Sequence, residues 1–159
     1  MVHSEISKAW AANNAVNNEL LASLTPAALE ALTPGGGYSA AQHLAHMTQC
    51  IKGWGTELEA GGLKDLPDLY SNYEPSTGMF DAETDLDRIK LVMMQTRDAA
   101  LKTAELATGT GNLPHDSAGA FLLHMLVHEA HHRGQILLAL KTAGHKLPDE
   151  EGIWKPWRS

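Results

Sequence analysis

Residues 39–59 read SAAQHLAHMTQCIKGWGTELE, and Leu44, Met47, Ile51, Trp54 and Leu58 recur in them at steps of three and four. That spacing places the five side chains along one stripe of a helix, and Ser39 stands where an N-cap would accept the first free amides. Gly61-Gly62 closes the stretch. The segment is therefore expected to be an amphipathic helix with one face against a core. Period-two alternation, the mark of a half-buried strand, is not found in it or elsewhere in the chain.

Working outward, the first helix is expected from about Ser4 to Leu24. Ile6, Trp10, Leu20 and Leu24 share a side, and Thr25-Pro26 stops it. A short helical turn, AALEAL at 27–32, precedes a loop at Pro34 to Gly37. Residues 61–80 lack a clean period and contain Pro67, Pro75 and Gly78, so they read as a long connection. A third helix is expected from about Ala82 to Ala107, with Leu86, Ile89, Met93, Ala100 and Leu101 inward. Asp81, Glu83 and Asp85 suit the positive end of its dipole. Gly109, Gly111 and Pro114 break the chain. The fourth helix runs from about Ser117 to Ala143 and stops at Gly144. The tail GIWKPWRS carries two tryptophans expected to pack back on the domain or on a partner subunit.

Four helices of about 20 residues, each about 30 Å long, suggest an all-α four-helix bundle filling one domain over residues 1–159. The first and third connections are short and should join antiparallel neighbours. The second, at 61–80, is long enough to run back along the bundle, which suggests up-down-down-up order.

Composition narrows the function. The hydrophobic fraction of 43% and charged fraction of 19% are ordinary for a globular chain. The formal charge of −7, with 12 scattered Lys and Arg, argues against a nucleic-acid or acidic-membrane surface. No apolar run approaches the roughly 20 residues of a membrane helix. MVHSEISKAW shows no signal-peptide pattern. A single cysteine, Cys50, fits a reducing compartment. Together these features suggest a cytoplasmic protein.

Chemistry concentrates in HMLVHEAHHRGQ, residues 124–135, with four histidines in nine positions. Residues four apart on a helix lie one above the other, so His128 and His132 can grip one metal ion. A catalytic site of the zinc type takes three protein ligands and leaves one position open. The second helix offers the third in His43 or His46. His124 lies one turn before His128 and is read as lining the site or orienting a neighbour. His131 points about a hundred degrees away from His132 and is a weaker candidate. His3, His115 and His145, near ends and loops, are expected at the surface.

HEAHH also matches the HExxH zinc-protease pattern, in which the glutamate is a general base. The longer metzincin form wants glycine where this chain has Gln135, and no strand is expected that could bind an extended peptide. Glu129 is accordingly read as solvent-facing or as the partner of a nearby base.

HEAHHRGQI (128–136) resembles the H-x-x-x-H-R-G-Q-I signature on the last bundle helix of the DinB-like (DinB/YfiT) superfamily of metalloenzymes. YSAAQHLAHM (38–47) is similar to that group's second-helix pattern. NELL (18–21) and the ending AGHKLPDEEGIW (143–154) add weaker echoes. The resemblance covers nearly the whole chain. It implies an up-down-down-up four-helix bundle and a metal site of His46, His128 and His132. His43 lies nearer the centre of the apolar stripe and stays open as the third ligand.

Three neutral imidazoles leave a divalent ion's charge uncompensated, so the open position should attract hydroxide, a carboxylate or a thiolate. Zinc and nickel suit nitrogen-rich sites best, and iron and manganese also fit. Relatives in the superfamily include transferases and isomerases that use low-molecular-weight thiols, and many members have no assigned reaction. The resemblance thus implies an enzyme that acts on a small molecule by thiol transfer or hydrolysis. A non-catalytic metal-stabilised bundle that works by association, as a homodimer, is the alternative; the zinc protease is a third. Around the site, Cys50 is read as a buried, inert thiol or a fourth ligand. Asn18, with Asn13, Asn14 and Asn17, is read as a polar lining or as solvent-facing. Met93, Met94, Met125 and Trp54 are read as core. Gly134 would need close approach of a backbone or ligand to justify glycine inside a helix. Arg133 reads as a surface or helix-end ion-pair residue, with binding of an anionic substrate as the alternative.

Overall fold

The computed structural model describes residues 4–58, 62–107 and 115–158. His3, the break at Gly109, Gly111 and Pro114, and the Glu59 end of the second helix lie outside them. The chain is mostly helical. In order come α1 (Ser4–Ser23), α2 (Pro26–Leu29), α3 (Ala40–Leu58), β1 (Tyr70–Glu74), β2 (Met79–Ala82), α4 (Leu86–Leu106), α5 (Ala118–Thr142) and α6 (Glu150–Trp154). A 3₁₀ turn at Lys155–Trp157 follows.

The helix starts are set by local chemistry. Ser39 and Gln42 form a capping box: Ser39 Oγ accepts from the Gln42 amide at 3.2 Å, and Gln42 Oε1 accepts from the Ser39 amide at 3.0 Å. Thr25 caps α2 ahead of Pro26. Asp85 caps α4 by accepting from Asp87 and Arg88, and Ser117 caps α5. At the other end of α5, Gly144 takes φ +75°, and the His145 amide reaches back to the Leu140 carbonyl at 2.9 Å.

The stretch expected to be structureless corrects the reading in one respect. β1 and β2 form an antiparallel hairpin, with Tyr70 opposite Ala82, Ser71 opposite Asp81 and Glu74 opposite Met79. The pairing is irregular near Asn72, which sits at φ +51°. Ala82 thus ends a strand, and the third long helix begins at Leu86. The hairpin lies against α3: Gln42 Nε2 donates to the Phe80 carbonyl at 2.8 Å, and the Tyr38 hydroxyl donates to the Gly78 carbonyl at 3.2 Å.

Helix α3 packs on α4 and α5, and α1 packs on the same two helices. Two apolar clusters form between them. One holds Leu20, Leu44, Met47, Phe80, Met93, Ile136 and Leu140; the other holds Trp10, Ile51, Leu63, Ala100, Phe121 and Met125. In sequence, the buried polar residues Asn13, Asn17, Thr48, Arg97 and Glu129 fall between the members of the two clusters on each helix. Gly55 admits close packing, since a Cβ there would meet Leu63 Cδ1 at 2.5 Å and Phe121 Cζ at 3.1 Å. Gly134 does not fit its expectation: it is exposed, and nothing lies within 4 Å of a Cβ built on it. Met94 is corrected from core to surface at 50% exposure. The tail packs along α1, yet Trp154 and Trp157 stay 51% and 42% exposed. Among the described residues, no helix is long and apolar enough to cross a membrane.

Candidate metal centre

His128 and His132 stand one turn apart on α5, and His46 faces them from α3. One ring nitrogen from each lies within 4.8 Å of the others. The ring centroids are 4.4 Å apart for His128–His132, 4.9 Å for His46–His132 and 5.2 Å for His46–His128. Nε2 of His132 is 3.1 Å from Nε2 of His128. Two nitrogens each about 2.1 Å from a common ion are about 3.0 to 3.4 Å apart at angles between square and tetrahedral. The pair therefore has the separation that a shared cation requires.

His43 takes a different place. Its Nδ1 is 2.9 Å from Nδ1 of His132, and its Nε2 is 2.8 Å from the Thr33 hydroxyl. Thr33 Oγ1 in turn donates to the Tyr38 carbonyl at 2.9 Å. His43 is thus the residue behind a member of the cluster, reached through the far side of the ring. His132 and His43 are both buried, at 8% and 6% exposure.

The electrostatics favour neutral rings. Burial first, then the neighbouring imidazoles, holds His43 and His128 down at about 4 and His132 at about 3. Burial also lowers His46, against a raising contact with Gln49. Neutral imidazoles with free lone pairs are the metal-binding form, so the donor set fits a divalent cation at neutral pH.

Cys50 lies one turn after His46, with Sγ 3.5 Å from Nε2 of His46, but it does not join the three-nitrogen cluster. Burial raises its thiol to about 11, which keeps it protonated. His124 is exposed; it stacks on Trp54 with centroids 4.6 Å apart, and its ring is 6.4 Å from His128. His115, expected at the surface, is buried, with Nε2 2.7 Å from Nδ1 of His124. His131 is exposed beside His132, as its helical angle suggests. Trp54, read as core, is half-buried. With Tyr38, His46, Gln49, Cys50, Tyr73 and Phe80 it lines a cleft of about 280 Å³ that opens beside the cluster.

Asn18 is exposed and takes no part. Its neighbours do, in an arrangement that the sequence reading missed. Glu129 is fully buried: Oε1 accepts from Arg97 Nε at 3.0 Å, and Oε2 accepts from both Asn13 and Asn17. Arg133 Nη1 donates to the side-chain oxygens of the same asparagines at 2.9 and 2.6 Å. Trp10 Nε1 donates to the Arg97 carbonyl at 3.1 Å. Glu129 is therefore not solvent-facing. It partners a base, and that base is the buried Arg97 of another helix. With both oxygens engaged, its carboxylate is not available as the general base of a zinc protease.

Two helices of this mostly helical chain thus bring three imidazoles close enough together to hold one cation. The sequence model of the DinB family matches residues 1–159, the whole chain, and the chain belongs to the DinB family. Neither the curated proteins nor the solved structures contain a match to it.

Proposed function

We propose that this DinB-family chain is a metal-dependent enzyme in which His46, His128 and His132 hold one divalent ion, zinc or nickel before iron or manganese. It would act on a small molecule by thiol transfer or hydrolysis. The carrying observation is the convergence of three ring nitrogens from α3 and α5 within 4.8 Å. The fold we read is a single four-helix bundle in up-down-down-up order. The sequence in which each helix meets the two apolar clusters supports that order. α1 and α5 pass Trp10 and Phe121 before Leu20 and Leu140, whereas α3 and α4 pass Leu44 and Ile89 before Ile51 and Ala104.

Proton accounting orients the donors. With the Thr33 hydroxyl proton on the Tyr38 carbonyl, its oxygen accepts from His43 Nε2–H. His43 Nδ1 then accepts from His132 Nδ1–H, which leaves the Nε2 lone pair of His132 turned toward His128. A divalent ion, when bound, lowers the pKa of a water or thiol in its open position. The chain's own residues shape what arrives there. Tyr38, Trp54, Tyr73 and Phe80 form aromatic walls, Gln49 supplies an amide, and among the described residues no Asp, Glu, Lys or Arg lines the cleft. Cys50 forms part of the cleft wall beside His46.

The test is turnover by metal-loaded protein against panels of small thiols with electrophiles and of small esters and amides. His132→Ala and chelated protein serve as controls. Activity in the loaded chain that both controls lose is the expected result. Absence of turnover, with melting temperature falling on chelation, would make the site structural.

A further inference from the structure

Resting on the reading of the cleft beside the three histidines as a metal enzyme's substrate site, we propose that its substrate has an uncharged, flat aromatic body, for which Gly53 leaves the room. Along α3, His46, Gln49, Cys50, Gly53 and Trp54 recur at steps of three and four and line one side of the cleft. Tyr38 and the hairpin complete it. At about 280 Å³ the cleft is at the small end of ligand sites, which run from about 300 to 1,000 Å³, so it takes one or two rings.

Aromatic walls select a flat ring, because stacked and edge-on pairs gain energy that a puckered aliphatic ring of the same size does not. Tyr38 meets His46 edge-on with centroids 5.9 Å apart, and Trp54 meets His128 at 6.1 Å, so both walls end at the proposed ligands of the ion. Tyr38 is held there by its hydroxyl, which donates to the Gly78 carbonyl. Tyr73 is left 52% exposed at the cleft. Charge on the ligand body is disfavoured whatever its sign. Among the described residues no Asp, Glu, Lys or Arg lines the cleft, so an entering carboxylate loses water without gaining a partner. A cation would meet the divalent ion across neutral imidazoles. Gln49 is the polar handle. Its Oε1 faces Nδ1 of His46 at 3.4 Å, and its amide N–H groups, without a protein acceptor among the described residues, suit a carbonyl oxygen.

Gly53 distinguishes a built site from an incidental groove. It stands inside α3, where glycine weakens a helix relative to alanine. Its backbone is helical, and nothing lies within 4 Å of a Cβ built on it, so neither conformation nor packing within the chain calls for glycine. Gly55, two residues on, is different, because Leu63 and Phe121 close on it. A side chain at Gly53 would stand in the cleft, in the space that a ring needs.

The test is titration of the isotope-labelled, chelated chain with benzamide, followed through amide chemical shifts, so that the cleft is judged apart from the metal. A dissociation constant of about 1 mM or below is expected, with shifts at Gln49, Gly53 and Trp54. Cyclohexanecarboxamide keeps the amide without the flat ring, and benzoate keeps the ring with a charge; each should bind at least about 5-fold more weakly. Gly53→Leu should weaken benzamide by at least about 10-fold by filling the cleft, with no fall in melting temperature. Tyr73→Ala, at an exposed position, should weaken it by at least about 3-fold. Absence of saturable shifts, equal binding of cyclohexanecarboxamide or benzoate, tighter binding of benzamidine, or unchanged binding by Gly53→Leu would overturn the proposal. Failure to bind metal or to turn over, with the preference for benzamide intact, would strike the enzymatic reading and leave the cleft's selectivity standing.

Discussion

Glu129→Ala is the substitution on which the buried polar layer can be judged. Arg97 has 2% of its side chain exposed and Glu129 1%. Deleting the carboxylate strands a guanidinium away from water and removes the acceptor of two asparagine amides as well. Breaking a buried pair by removing one partner costs about 3 to 5 kcal/mol, and an unsatisfied buried donor adds about 1 to 3. The terms do not simply add, so a loss of at least about 4 kcal/mol is expected, against a total of about 5 to 15 for a domain. Urea unfolding followed by circular dichroism measures it. Arg97→Met with Glu129→Leu should recover much of the loss, giving a coupling of at least about 2 kcal/mol. A loss below about 1 kcal/mol for Glu129→Ala would refute the reasoning. So would a Glu129→Ala protein that stays folded yet loses its metal as completely as a ligand variant does, since Glu129 would then act at the centre and not behind it.

The metal-free chain should lose stability as pH falls from about 6.5 toward 4. His43, His128 and His132 are depressed in the fold to about 4, 4 and 3, so over that window only the unfolded chain takes up their protons. Each contributes at most about 1.4 kcal/mol per pH unit, less screening by the water that reaches the rings, and chelated protein unfolded in urea at a series of pH values would show the slope. His43→Ala should weaken metal binding by about 10- to 100-fold without removing a ligand, as read by competition with a chelator. Two glycines should respond in opposite directions on thermal melting of dilute protein. Gly55→Ala meets Leu63 and Phe121 and should destabilise by about 1 kcal/mol or more. Gly134→Ala, with open space around it, should stabilise by about 0.5 to 1 kcal/mol.

Periodicity made α3 and α4 legible, because each carries an apolar stripe at steps of three and four, whereas the last helix was read from its ends, Ser117 and Gly144. Histidine spacing, together with the family resemblance, pointed to His46, His128 and His132, which lie together in space. The hairpin was not legible for a physical reason. Of its two strands only Phe80 is buried, so YSNYE and MFDA show no alternation to read. The polar layer was hidden by a default that places charge at the surface. Its signal was nonetheless present. Asn13 and Asn17 interrupt the stripe of Trp10 and Leu20; Arg97 interrupts that of Met93 and Ala100; Glu129 interrupts that of Met125 and Ile136. Three stripes broken by polar residues of complementary chemistry announce a buried network. Cleft residues from the hairpin, Tyr73 and Phe80, depend on a long connection whose path no local pattern sets.

Calorimetric titration of the chelated chain with zinc and with nickel bears most directly on the centre. The account predicts one ion per chain, with affinity falling by at least about 100-fold in each of His46→Ala, His128→Ala and His132→Ala. The same changes at His124 and His131 should leave it nearly unaltered. Absence of binding by the folded, unmodified chain, or undiminished binding by the triple variant, would contradict it.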